Sequence, residues 1–80
     1  MKEIYEFKYC GWLCLLNIDE EGNATMIEST KGKPKKFNDV KFVKIGSNGG
    51  ERVQYNNDEV SLPFKNYNDG ELDKRWRKIK

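Results

Sequence analysis

One dense apolar run decides the fold of this 80-residue chain: Tyr9-Cys10-Gly11-Trp12-Leu13-Cys14-Leu15-Leu16, which also contains both cysteines. In a strand, successive side chains point to opposite faces. The run and Ile18 would therefore have Trp12, Cys14, Leu16 and Ile18 on one face, and Leu13 and Leu15 on the other. Apolar side chains on both faces are typical of a strand in the interior of a sheet. The sequence therefore predicts that this stretch runs through the centre of a β-sheet.

The residues before the run alternate with the opposite parity. Tyr5, Phe7 and Tyr9 are separated by Glu6 and Lys8, so the register must shift between Tyr9 and Trp12. Gly11 lies at that junction, where a β-bulge or sharp bend produces such a shift. We therefore predict one long first strand over residues 4–18, bent or bulged at Gly11. A helix is the alternative, since Tyr5, Tyr9, Trp12 and Leu16 also form a helical stripe.

The two thiols are predicted to be structural. Cys10 and Cys14 have the spacing C-x3-C rather than the C-x-x-C of redox motifs. Four strand residues span about 13 Å, which is longer than the Cα–Cα distance a disulfide tolerates. We expect both to be buried and to act as small apolar side chains. The chain has no histidine, so the commonest general base and metal ligand is missing; we predict no enzyme, no cofactor and no metal site.

Turn residues divide the middle of the chain into short strands. Asp19 to Asn23 predicts a turn, and Ala24 to Ser29 a return strand. Residues 40–45 are apolar on both faces and predict a second central strand. A three-residue loop at Asn48-Gly49-Gly50, with Gly50 left-handed, would pair Ile45 with Val53 and Val43 with Tyr55. Asn56 to Asp58 is a further turn, and Pro63 marks residues 60–64 as an edge strand, since proline cannot donate to a ladder.

The C-terminal segment has the pattern of a short helix. Asn68 and Glu71 have capping-box spacing, and Leu72, Trp76 and Ile79 would share one face. Two acid–base pairs at i,i+4 add support: Glu71 with Arg75, and Asp73 with Arg77.

These elements predict a mainly β fold: a small curled antiparallel sheet or an SH3/OB-like barrel of four to five strands, with a short C-terminal helix. We expect a single domain over residues 1–80, divided into a β-sheet or barrel (1–67) and a basic C-terminal helix or arm (68–80). The five apolar residues from Trp12 to Leu16 are too few for a membrane span or a signal peptide. The expected location is the cytoplasm.

Charge is distributed unevenly along the chain. The net charge is +2, with −4 on residues 1–30 and +6 on residues 31–80. The candidate binding residues fall in a lysine-rich loop and the C-terminal segment: Lys31, Lys33, Lys35, Lys36, Lys74, Arg75, Trp76, Arg77 and Lys78. Two interpretations of Trp76 are open: it packs in the core as an anchor, or its ring is exposed as a platform for stacking. The alternative interpretation is that these charges only keep a lysine-rich surface soluble.

Two functional hypotheses fit these features. The first is a small non-catalytic module that binds a protein or a ribonucleoprotein, as a regulator or inhibitor of the type found among phage and mobile-element (anti-defence) proteins. The second is a nucleic-acid-binding β-barrel that uses the lysine loop and the basic tail. A subunit of a larger assembly is a third reading. No membrane partner is expected, and the oligomeric state stays open.

Overall fold

The computed structural model describes residues 2–30 and 32–80, which form eight strands and no helix. The strands are β1 (Glu3–Tyr9), β2 (Trp12–Ile18), β3 (Ala24–Ser29), β4 (Lys35–Phe37), β5 (Lys41–Lys44), β6 (Glu51–Tyr55), β7 (Val60–Lys65) and β8 (Trp76–Lys78). They form two antiparallel sheets, one in the order β4-β3-β2-β1-β8 and one in the order β5-β6-β7. The mainly β prediction is confirmed.

The first strand is in fact two strands joined by a tight hairpin. Cys10 has φ 47° and Gly11 has φ 79°, and Tyr9 pairs with Trp12. Two left-handed residues between paired positions make a type I′ turn, which matches the right-handed twist of the flanking strands. The prediction of one long strand over residues 4–18 is wrong. The parity change at Gly11 has a different cause: a two-residue turn brings Phe7 opposite Cys14, so that both face the core.

The core lies between the two sheets. β2 is the middle strand of the larger sheet, as predicted, and its Cys14, Leu16 and Ile18 are buried. The other core residues come from neighbouring strands and one linker: Phe7, Ile27, Val40, Val53, Tyr55, Leu62, Phe64 and Trp76. Phe64 joins the two sheets, because its ring lies 5.4 Å from Trp76 and 5.3 Å from Tyr5.

The predicted C-terminal helix does not form. Gly70 has φ 70°, and the carboxylates of Asp69 and Asp73 accept N–H groups two residues ahead, which makes turns where the helix was expected. β8 then pairs with β1, and Trp76 is buried at 3% exposure, with its indole N–H donating to the Pro63 carbonyl. Tertiary burial of Trp76 outweighs the weak helical preference of so short a segment.

The second hairpin has a different register from the predicted one. β5 is an edge strand, not a central one, and Phe42 rather than Ile45 pairs with Val53. The left-handed glycine is Gly49 (φ 86°). Gly50 instead lies against Tyr67, and a Cβ at Gly50 would collide with the Tyr67 backbone. This close approach, which sequence spacing does not reveal, fixes the loop.

Within the described residues, 2–30 and 32–80, the sheets do not close into a barrel, and eight strands replace the four to five predicted. The larger sheet ends in three-residue strands at both edges, and the sheets keep separate ladders. β7 is an edge strand, as Pro63 predicted. Its outer side is partly covered by the following turn, because the Phe64 carbonyl accepts the Asp73 N–H and Lys65 bridges to Leu72.

Candidate functional site

The two predicted basic segments lie at opposite edges of the larger sheet. Lys33, Lys35 and Lys36 precede or belong to β4, whereas Lys74 to Lys78 lead into and form β8. Four strand spacings separate β4 from β8, which is about 19 Å along the sheet. Lys31 lies outside the described residues.

Several cations of the C-terminal segment are engaged within the protein. Arg75 makes two bonds to the Asp73 carboxylate, at 2.9 and 3.0 Å, and these hold the pKa of Asp73 below its ordinary value. Arg77 binds Glu6 at 3.1 Å. Lys78 binds Glu3 at 2.9 Å, and this contact raises the pKa of Lys78. The ring of Trp76 is a core anchor, so it does not offer a face to a ligand.

One end of the larger sheet nevertheless gathers residues from both segments. The tip of the β1–β2 hairpin lies between them, because the Thr30 N–H bonds to the Leu13 carbonyl and the Lys8 N–H bonds to the Arg75 carbonyl. Five exposed cations therefore lie at this end of the sheet: Lys8, Lys33, Lys35, Lys74 and Arg75. We call this surface, together with Tyr9 and Trp12, the basic end.

An exposed aromatic ring lies within the basic end. Tyr9 is 53% exposed, and the Arg75 guanidinium lies 5.4 Å from its ring centroid and 5.7 Å from that of Phe7. The bidentate bond to Asp73 holds Arg75 in this position, which favours a cation–π contact. Beside Tyr9 is a shallow depression of about 360 Å³, which is lined by the hairpin tip: Lys8, Tyr9, Cys10, Gly11, Trp12 and Leu13. Charge, an aromatic face and a concave surface thus coincide.

Lys8, Tyr9 and Trp12 were not candidates from the sequence. Lys8 and Tyr9 look like ordinary members of an alternating strand, and only the hairpin brings them to the end of the sheet. The dipeptide Cys10-Gly11 does indicate a two-residue hairpin turn, since glycine is common in type I′ turns. Cysteine is uncommon at the position before that glycine, where asparagine and aspartate are favoured, and the turn was therefore not predicted.

The two cysteines differ in their surroundings. Cys10 is exposed at the hairpin tip, so the prediction that both thiols are buried is wrong for Cys10 and confirmed for Cys14. Burial raises the pKa of Cys14, and it raises the pKa of Tyr55 to about 12. Ser29 bonds with both groups and accepts the Trp12 indole N–H at 2.9 Å. Burial is what keeps the Cys14 thiol protonated, because the hydrogen bonds from Ser29 and Tyr55 lower its pKa. The Trp12–Ser29 bond supports the base of the hairpin.

No family model, curated protein or solved structure matches this chain. Within residues 2–30 and 32–80, no helix is long and apolar enough to cross a membrane. The same residues contain no group of three or more acidic or cysteine side chains placed to hold a metal ion.

Proposed function

We propose that this protein is a non-catalytic binding module that attaches to an acidic surface of another protein and acts as a regulator or inhibitor by occupying that surface. One observation carries the proposal: the exposed Tyr9–Arg75 pair lies among lysines at the basic end, beside the depression at the hairpin tip.

The residue types at the basic end support a protein partner. Tyrosine, tryptophan and arginine dominate the energetics of protein interfaces, and Tyr9, Trp12 and Arg75 lie together here. Lysines around such a centre steer an acidic partner and set its orientation more than they add affinity. The hairpin is held by a full ladder from Glu3 to Ile18, so binding costs little ordering of the chain.

Single-stranded nucleic acid is the second candidate partner. Tyr9 gives an exposed ring on which a base can stack, and lysines on both sides of it can bind phosphates. The cations extend from β8 to β4 across the sheet, which suits an extended chain of phosphates. The net charge of +2 is modest for a dedicated nucleic-acid binder, and for this reason we rank this partner second.

Affinity capture with the tagged full chain tests the proposal. The protein is used to capture partners from an extract of its source cells, with and without nuclease. We expect a stoichiometric protein that survives nuclease treatment. Failure to recover any protein would contradict the proposal, and loss of every partner on nuclease treatment would favour the second candidate.

A matched pair of tyrosine variants locates the contact. Tyr9→Ser removes the exposed ring at the basic end, and Tyr67→Ser removes a ring that is 59% exposed elsewhere. We expect capture to fall with Tyr9→Ser and to persist with Tyr67→Ser, while both variants keep the unfolding temperature close to that of the wild type. Equal capture by the two variants would show that the basic end is not the contact surface.

A further inference from the structure

The two sheets have four edges, of which three are short or covered. β4 and β8 have three residues each and carry Lys35, Lys36, Arg77 and Lys78. Short, charged edge strands are a common protection against strand addition. The outer side of β7 is covered where the Phe64 carbonyl accepts the Asp73 N–H and the Pro63 carbonyl accepts the Trp76 indole N–H. The remaining edge, β5, has four residues and also carries lysines, but among the described residues no group bonds to its outer side.

The outward backbone groups of β5 are identified by its pairing with β6. The Ile45 N–H bonds to the Gly50 carbonyl, and hydrogen-bonded pairs alternate in an antiparallel ladder. Val43 and Lys41 therefore bond to β6, and the N–H and C=O groups of Phe42 and Lys44 point away from the sheet. Among the described residues, none bonds to these outward groups.

The side chains along this edge offer contacts on both faces. Phe42 faces the core, with its ring 4.9 Å from that of Phe64, and is half-buried. Val43 and Ile45 lie on the opposite, solvent face, where Ile45 is 38% exposed. An added strand would cover these apolar groups at alternate positions, as in other cases of β-strand addition.

The charges along the edge select the occupant. Lys41 and Lys44 are both exposed, and Lys41 already binds an acidic side chain, Asp58, at 3.1 Å. A second copy of this chain has no carboxylate between Lys41 and Ile45, so its β5 edge would give these lysines no opposite charge. An acidic strand would place carboxylates beside them.

We infer that the open edge of β5 binds an extended, acidic segment of a partner protein, which joins the three-stranded sheet as an additional strand. This inference rests on the proposed function in that the partner is a protein. It concerns a different surface from the basic end, so each can fail alone.

Selection from a displayed library of random 12-residue peptides, with the immobilised full chain as target, tests this inference. We expect the enriched peptides to carry acidic residues among alternating apolar ones and to shift the amide resonances of residues 42–45. Lys44→Pro removes the outward N–H without removing a bond to β6. It should lower the affinity of these peptides about tenfold or more, because a hydrogen bond to the added strand is lost and the strand register that this bond fixes is lost with it. Lys44→Glu should also weaken them, and Lys80→Glu should not.

The outcomes separate this inference from the proposed function. If no peptide is enriched, or if the enriched peptides bind Lys44→Pro as tightly as the wild type, the β5 edge is not a docking site. If the captured protein partner is lost with Tyr9→Ser but retained with Lys44→Pro, the proposed function stands and this inference fails. The unfolding temperature of each variant confirms that the fold is intact before binding is compared.

Discussion

Replacement of Gly11 by alanine tests the hairpin that organises the fold. Gly11 has φ 79°, and an added Cβ would meet no atom within 4 Å. The effect of Gly11→Ala is therefore purely conformational. If the chain ran through Gly11 as extended strand, the same change would stabilise the protein, since glycine inside a strand is unfavourable relative to alanine.

The expected magnitude comes from two opposing contributions. A left-handed conformation costs an alanine about 1–2 kcal/mol. Replacing glycine restricts the unfolded chain, which returns about 0.4–1 kcal/mol. The net prediction is a loss of about 1 kcal/mol, a sizeable part of the roughly 4–12 kcal/mol expected for a domain of this size.

Urea unfolding followed by tryptophan fluorescence measures this loss. With an m-value of about 1 kcal/mol/M for a small domain, the midpoint should fall by about 1 M. Cys10→Asn is the complementary change: asparagine is favoured at φ 47° in a type I′ turn, so we expect a gain of about 0.5 kcal/mol. A higher midpoint for Gly11→Ala, together with a lower one for Cys10→Asn, would refute the hairpin and restore a continuous first strand.

Three further predictions concern buried groups. Asp73→Asn should cost about 1 kcal/mol at neutral pH, a figure discounted because Arg75 is partly exposed. The folded pKa of Asp73 lies below its ordinary value of 3.8. The loss of stability caused by Asp73→Asn should therefore be present above about pH 5 and vanish as the pH falls through the folded pKa. Urea titrations of both proteins at several pH values measure it. Trp76→Phe should cost about 2–3 kcal/mol in urea unfolding, because Pro63 loses its donor and the core loses volume; a neutral result would mean that β8 does not dock. Between pH 10 and 12, Tyr55 ionises in the unfolded chain but not in the folded one, so the wild type should lose stability in this range. Tyr55→Phe should remove the contribution of Tyr55 to this loss, which alkaline unfolding of the two proteins measures.

The sequence was informative wherever burial follows a period of two. The alternation of Cys14, Leu16 and Ile18 predicted the buried face of β2. Leu13 and Leu15, which make its other face apolar as well, predicted its central position. Pro63 correctly marked an edge, because a missing N–H has the same consequence in any sheet.

The features that depend on tertiary contact were not predictable in this way. Residues 68–80 have an acceptable helical pattern, yet Trp76 contributes more by filling the core between the sheets than the segment gains as a helix. The convergence of residues at the basic end was not predicted for a related reason. Its cations come from distant parts of the chain, and only the β1–β2 hairpin and the pairing of β8 with β1 bring Lys8 and Arg75 together.

The central claim is that the basic end is the binding surface. The most direct measurement compares two double charge reversals for affinity toward the captured partner by biolayer interferometry. Lys33→Glu/Lys74→Glu alters the basic end, whereas Lys2→Glu/Lys80→Glu makes the same change in net charge outside it. We predict a loss of about tenfold or more for the first double variant and less than about twofold for the second. Equal affinities of the two double variants would contradict the claim.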